Sequence, residues 1–261
     1  MRGIFHLGIL CLANGMFKPC VIIPIYNHPE KIKAVVERIS QDGFPCIIVD
    51  DGSTEPCKAI VAELAASESS ISLLRFDVNR GKGAAVCDGL RAALLQGYTH
   101  ALQVDADGQH DLGDIIKFMG VAEQYPESVV TGVRVVSNAP IGRRMGRKLT
   151  DVWVWINTLS FSIKDSMCGY RLYPLAATIV LLDKVNVGER MDFDTEILVR
   201  LCWDNLNIRQ IKTRVIYDDN ISSHFDILND NVRISRMHAK LFFGMLIRLP
   251  LLIMRWRRPV G

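Results

Sequence analysis

No acidic residue follows Asp230 in this 261-residue chain, although Arg233, Arg236, Lys240, Arg248, Arg255, Arg257 and Arg258 all do. The net charge of +3 therefore conceals a mildly acidic body and a strongly basic end. That polarity points to an anionic surface as the partner of the end. No C-x-x-C spacing occurs among the seven cysteines, and their number is odd, so a disulfide framework is not indicated. Most stand in apolar surroundings, where cysteine behaves as a small hydrophobe, and a reduced, cytoplasmic setting is expected. No repeat, low-complexity tract or Gly/Ser linker divides the chain, so nothing argues for two independent modules, and the length fits one α/β domain with or without an appendage. The opening MRGIFHLGILCLANG has one Arg and an apolar stretch too short for the roughly 20 residues of a membrane span. With Met16 just ahead of the first strand, residues 1–17 read as an extension or an upstream start rather than a targeting signal.

What is present is an alternation of buried strands and helices. CVIIPIY (20–26), CIIVDDGS (46–53), SLLRFD (72–77), HALQVDAD (100–107) and SVVTGVR (128–134) are apolar, β-branched runs closed by turn residues, as strands buried on both faces should be. Between them, residues 29–41, 55–66, 84–95 and 112–123 read as helices. This rhythm predicts a mainly parallel, twisted sheet flanked by helices, with ligands beyond the carboxyl ends of the strands. After residue 135 the spacing predicts a basic loop (GRRMGRK) running into a helix, a short strand after KDSMCGY, a helix over 193–203 and a late strand over 208–218.

Polar residues gather at the strand ends. Asp105 and Asp107 flank Ala106 before the turn residue Gly108. Two carboxylates in that spacing suit Mg2+ or Mn2+ completed by water and phosphate oxygens, although a solitary D-x-D is equally an Asp-Gly turn. Asp50 and Asp51 end a neighbouring strand, where a carboxylate can accept hydrogen bonds from a base or ribose, or DDGST can cap the next helix. NRGKGAAVCDGL is neither a P-loop nor a G-x-G-x-x-G fingerprint. Its Gly81 and Gly83 still permit close backbone approach, and Lys82 can meet a phosphate.

Taken together, VIIPIYN, VDDGS, NRGKGAA, DADGQH and DSMCGYRLY resemble the family 2 glycosyltransferases of the GT-A fold, closest to the dolichyl- and polyprenyl-phosphate sugar synthases and their bacterial relatives. The likeness covers about residues 18–225. It implies a metal held by Asp105, Asp107 and Gln109, with His224 either touching the metal or diphosphate or making a local hydrogen bond. It implies nucleotide-sugar contacts from Pro24, Tyr26, Asn27, Asp51, Lys82, Asp105, Ala106, Arg134, Arg147 and Arg171, with Arg143 and Arg144 as alternatives to Arg147. Asp165 takes the place next to the acceptor, and Glu196 either orients an acceptor or faces outward from its helix. The chain departs from the family's common P-x-Y-N-E by placing His28 and Pro29 after Asn27.

The resemblance implies an inverting sugar transfer from a nucleotide diphosphate-sugar to a membrane-associated acceptor, polyprenyl phosphate first and a glycolipid or other hydroxyl second. A non-catalytic sugar-nucleotide-binding regulator is the rival from another class. LFFGMLIRLPLLIMRWRR (241–258) is apolar, broken by Arg248 and Pro250, and closes on Trp and Arg. It reads as an interfacial helix on anionic headgroups or as a helix packed on the sheet. The expected layout is thus an extension over 1–17, a GT-A domain over 18–228 and a basic, apolar, amphipathic tail over 229–261. The tail would hold the protein peripherally on the inner face of the cytoplasmic membrane.

Overall fold

The computed structural model describes residues 16–135, 141–215 and 227–256. Its first strand, β1 (Pro19–Ile25), shows why the sheet is two-sided. Cys20 and Ile22 join one apolar cluster while Val21, Ile23 and Ile25 join another on the opposite face, the alternation that a pleated strand imposes. Strands β2 (Cys46–Asp50), β3 (Ile71–Arg75) and β4 (His100–Gln103) pair in parallel around it. The remaining strands are β5 (Val129–Val135), β6 (Arg171–Pro174) and β7 (Ile208–Arg214). The spatial order is β3-β2-β1-β4-β6-β5-β7, and β6 runs antiparallel to both of its neighbours.

Helices cover both faces. On one lie α1 (Pro29–Gln41), α2 (Cys57–Ser67) and α4 (Ile115–Gln124). Helix α1 buries Ile32, Val35, Val36 and Ile39, the stripe a 3.6-residue period places on one side. The other face carries α3 (Lys82–Leu95), α6 (Leu175–Lys184), α7 (Phe193–Trp203) and part of α8 (Ile227–Trp256). Helix α5 (Ile141–Thr158) packs against α7 and α8. The basic stretch expected as a loop is thus already helical from Ile141. Helix α2 opens at Cys57 with no side-chain cap, so Ser53 and Thr54 are not its N-caps. The six described cysteines, Cys20, Cys46, Cys57, Cys87, Cys168 and Cys202, are free thiols.

The 30 residues of α8 are continuous helix, and their inner side belongs to the main core through Met237, Leu241, Met245 and Leu252. Lys240 ties that side down by pairing with Glu196 at 2.9 Å and donating to the Asn186 carbonyl at 2.7 Å. Residues 1–15, and with them most of the expected N-terminal extension, lie outside the described residues.

Candidate functional site

The carboxyl ends of β2, β1 and β4 lie side by side, and a cleft of about 420 Å³ opens beyond them. Its walls include Pro24 near the end of β1 and Tyr26 just after it, Asp51 after β2, Gly81 and Lys82 at the start of α3, and Asp105, Ala106 and Asp107 after β4. Consecutive residues at a strand end point to opposite sides, and this divides the two acids of DDGS. Asp50 is fully buried and accepts from Arg75 Nε at 2.7 Å and the Ser53 amide at 2.9 Å, so it holds the turn. Asp51 faces the cleft and accepts from the amides of Arg80 (2.7 Å) and Gly81 (2.8 Å) and from Asn79 Nδ2 (3.0 Å). Burial pushes the Asp51 carboxyl up, against those amides and the charges of Arg190 and Arg80. Asn27 adopts φ +52° and spends its side chain on Thr54, accepting from the amide at 2.8 Å, while its own amide donates to Ser53 Oγ at 3.0 Å. It is a clasp between the first two strand ends.

The D-x-D turn is more tightly wired than its sequence suggests. Lys82 Nζ lies 2.8 Å and 3.0 Å from the two carboxylate oxygens of Asp105 and 3.2 Å from Asp194. Burial works against the Lys82 charge, but the two carboxylates overcome it and hold the ammonium above the ordinary lysine range. Burial likewise works against the Asp105 charge, yet Lys82 and His110 keep its carboxyl well below the usual carboxylate range. His110 Nε2 stands 3.4 Å from Asp105, and its ring stacks on Tyr170, which stacks on Phe118. His110, left without a role by the sequence reading, is thus the prop behind Asp105. Asp107 accepts from the Gln109 amide at 3.0 Å, and its carboxyl is raised by burial and by the charge of Asp105.

Two turns press close to this centre. A Cβ on Gly169, in the CGYR turn, would stand 2.8 Å from Lys82 Nζ and 3.1 Å from Asp105. A Cβ on Gly83 would stand 2.5 Å from the Gly188 carbonyl, so glycine lets the loop ahead of α7 lie on α3. That loop brings Arg190 and Met191 into the cleft wall, with Arg190 Nη1 donating to Asn79 Oδ1 at 3.2 Å.

Several expected site residues stand elsewhere. Arg171 is fully buried and donates to the carbonyls of Asp194 (2.6 Å), Ser166 and Cys168 (both 3.1 Å) and to Thr131 Oγ1. Its guanidinium is consumed by the interior, away from the cleft walls, and braces the turn over 165–169. Glu196 neither faces outward nor reaches the cleft: it is buried, accepts from Arg200 at 2.7 Å and 2.8 Å and from the Gly188 amide at 2.8 Å, and pairs with Lys240. Its helix turns about 200° between positions 194 and 196, so Asp194 faces Lys82 and Glu196 the other way. The cleft walls do not include Gln109, whose placed contact is through its amide. Asp165 is gripped by Arg134, with Nε and Nη2 each 2.7 Å from a carboxylate oxygen, and this pair lies outside the cleft walls. Arg147 is half-buried on α5, also away from those walls. Nothing is described for the side chains of Arg143 and Arg144, and His224 lies outside the described residues.

Asn79 and Arg190 of the cleft wall, and Asp194, His110 and Gly169, which stand against Lys82 or Asp105 behind it, are residues the sequence reading did not assign. The first had a signal in NRGKGAA, and Asp194 had one in DFDTE. Arg190 had none, because only the fold lays its loop beside α3.

Asp105 and Asp107 both border the cleft, two carboxylates from one turn on the same wall. That pair of oxygen donors fits Mg2+ or Mn2+, with the remaining positions left to ligand and water. Among the described residues no cluster of three or more His, Cys, Asp or Glu side chains forms a closed metal site.

Residues 20–184 match the family model described as Glycosyl transferase family 2. Among curated relatives, a UDP-N-acetylglucosamine–dolichyl-phosphate N-acetylglucosaminyltransferase of Methanococcus voltae is 27% identical over 217 residues, covering 76% of this chain and 86% of that one. A dolichyl-phosphate beta-glucosyltransferase of Dictyostelium discoideum is 26% identical over 249 residues, covering 87% of this chain and 74% of its own. Among solved structures, glucosyl-3-phosphoglycerate synthase from Mycobacterium tuberculosis superposes with a TM-score of 0.64 at 16% identity, over 91% of this chain and 82% of the other. That likeness establishes the fold, a GT-A arrangement of mostly parallel sheet and flanking helices.

Proposed function

Because the chain belongs to glycosyltransferase family 2, we propose that it moves a sugar, with inversion, from a nucleotide diphosphate-sugar to a polyprenyl-type phosphate carried by a membrane. One observation supports this above others. The cleft at the β2-β1-β4 edge brings together a hydrogen-bond acceptor, Asp51, a carboxylate pair and a half-buried lysine bound to one of that pair.

In this reading Asp51 and the PIYN turn receive the nucleoside, and Lys82 and Arg190 face the diphosphate. Asp105 and Asp107 would hold Mg2+ or Mn2+, which when bound supplies positive charge to the departing diphosphate. The acceptor oxygen forms the new bond to the anomeric carbon as the bond to the β-phosphate oxygen breaks, and the leaving diphosphate keeps the electron pair. Lys82, shared between Asp105 and Asp194, is preorganised to stabilise that charge without moving far. A phosphate acceptor is already ionised at neutral pH and needs no base. A hydroxyl acceptor needs one, and Asp165 has both oxygens engaged by Arg134, which favours the phosphate. The names of the dolichyl-phosphate relatives point the same way, and the apolar outer side of α8 supports a peripheral membrane position.

Incubation with labelled UDP- and GDP-sugars, polyprenyl phosphate and Mn2+ tests the proposal. The expected product is a glycosyl polyprenyl phosphate formed with release of nucleoside diphosphate. Asp107→Asn is expected to lower turnover at least ~100-fold with little change in melting temperature, an effect of removed transition-state charge stabilisation. Equal transfer by that variant, or by the parent in excess EDTA, overturns the metal assignment. Release of pyrophosphate overturns the transfer reaction itself.

A further inference from the structure

Helix α5 hides Val154, Asn157 and Thr158 and exposes Met145, Leu149, Val152 and Ile156 on its other side. Steps of four, three and four residues keep such a set on one stripe. Helix α8 does the same with Phe243, Ile247, Pro250 and Met254, opposite its buried Leu241, Met245 and Leu252. Val152 and Ile156 of the α5 stripe line an apolar groove of about 410 Å³ that Leu252 and Ile253 close on the α8 side, and Phe161 beside it stands 76% exposed. Within Asn229–Met254 of α8 an 18-residue window is apolar enough to cross a membrane by length and composition, yet only 28% of that window is buried. A soluble core helix is mostly covered, so this surface lacks its partner.

Charge identifies that partner. The one acid of α5, Asp151, turns inward, 3.4 Å from the Ser166 amide. On α8 the only acid is Asp230, near its start, where it pairs with Arg233 at 3.0 Å. Lys148 and Arg236 are exposed, and three arginines follow Met254 in the sequence. A second copy of the chain would bring these cations against themselves, whereas anionic headgroups complement them.

We propose that α5 and α8 together form a docking face for an anionic bilayer, with Phe161 and the groove entering the acyl layer. Membrane contact is thus not the work of the C-terminal helix alone. The inference deepens the lipid-acceptor reading and rests on it for its purpose. Asp230 lines the cleft, and the exposed stripe of α8 begins at Phe243, about 20 Å further along the same helix at 1.5 Å per residue. One rigid rod therefore connects cleft and docking face.

Flotation of the full chain with phosphatidylglycerol/phosphatidylcholine vesicles tests it. Ile156→Asp/Phe161→Asp, at exposed sites on or just after α5, is expected to weaken vesicle binding at least tenfold. Phe243→Asp/Ile247→Asp should do the same, and the thermal shift given by a nucleotide-sugar should persist in both. Parent-like flotation of the α5 variant overturns the proposal. So does a dimer in sedimentation velocity that the α5 variant dissolves while flotation stays intact. Vesicle binding by a parent protein that transfers no sugar would sink the lipid-acceptor reading and uphold the docking face.

Discussion

Arg171 shows how much a single side chain can hide from its sequence. In CGYRLY it reads as a cation available to phosphates, but its four interior hydrogen bonds make it a bracket for the turn that sets Gly169 against Asp105. Arg171→Met would strand three buried carbonyls and is expected to cost about 3 kcal/mol or more, measured by urea unfolding. Asp151 offers a pH signature. Burial and, after it, the charge of Asp165 raise its carboxyl to about 6. The native state then binds more protons than the unfolded chain between pH ~4 and ~6, so this group's contribution falls as pH rises through that window. Asp151→Asn should remove the slope and raise stability at pH 7.5 by about 1 kcal/mol, allowing for solvent screening of a half-buried group. That corresponds to roughly 2–4 °C in melting temperature, and an unchanged slope would refute the assignment.

Among the elements, the contact between α5 and α8 buries a polar ring without a hydrogen-bond partner among the described residues. His238 is buried against Trp153, with ring centroids 5.9 Å apart, and neither ring nitrogen has a hydrogen-bond partner among the described residues. Burial lowers it to about 4. The unfolded chain therefore binds the extra proton between pH 6.5 and 4, and stability is lost as pH falls through that range. His238→Phe keeps the stacking and is expected to flatten the acid limb of a melting-temperature profile while leaving pH 8 little changed. A profile identical to the parent would show that the helix contact does not titrate.

At the scale of the molecule, α8 is both a wall of the core and the carrier of an uncovered apolar stripe. Removing residues 241–261 would expose the neighbours of Leu241, Met245 and Leu252, each worth about 1.5–3 kcal/mol of burial. Their sum rivals the whole stability of a typical domain. The truncated chain is thus expected to lose its near-UV circular dichroism rather than to become a soluble, active enzyme. A folded truncation product would show the helix to be a mere appendage.

The alternation of two-sided strands and amphipathic helices was legible in the sequence because backbone periodicity is a local property. So were the acids and glycines at the carboxyl ends, since polar residues that close an apolar strand have no packing role there. The family followed from their order along the chain. Where VDADGQH was concerned, the sequence supplied Asp105 and Asp107 and nothing of Lys82's double pairing, the His110–Tyr170 stack or the approach of Gly169. Those depend on which loops the sheet order brings together. DFDTE could have been resolved further, since residues two apart on a helix face opposite ways. Arg190 and the fate of Arg171 could not, because a guanidinium's role is set by what surrounds it. Local pattern fixed the elements and the chemistry at their ends. Only tertiary packing decided which charges meet the cleft and which hold the interior together, because electrostatic partners lie far apart in sequence.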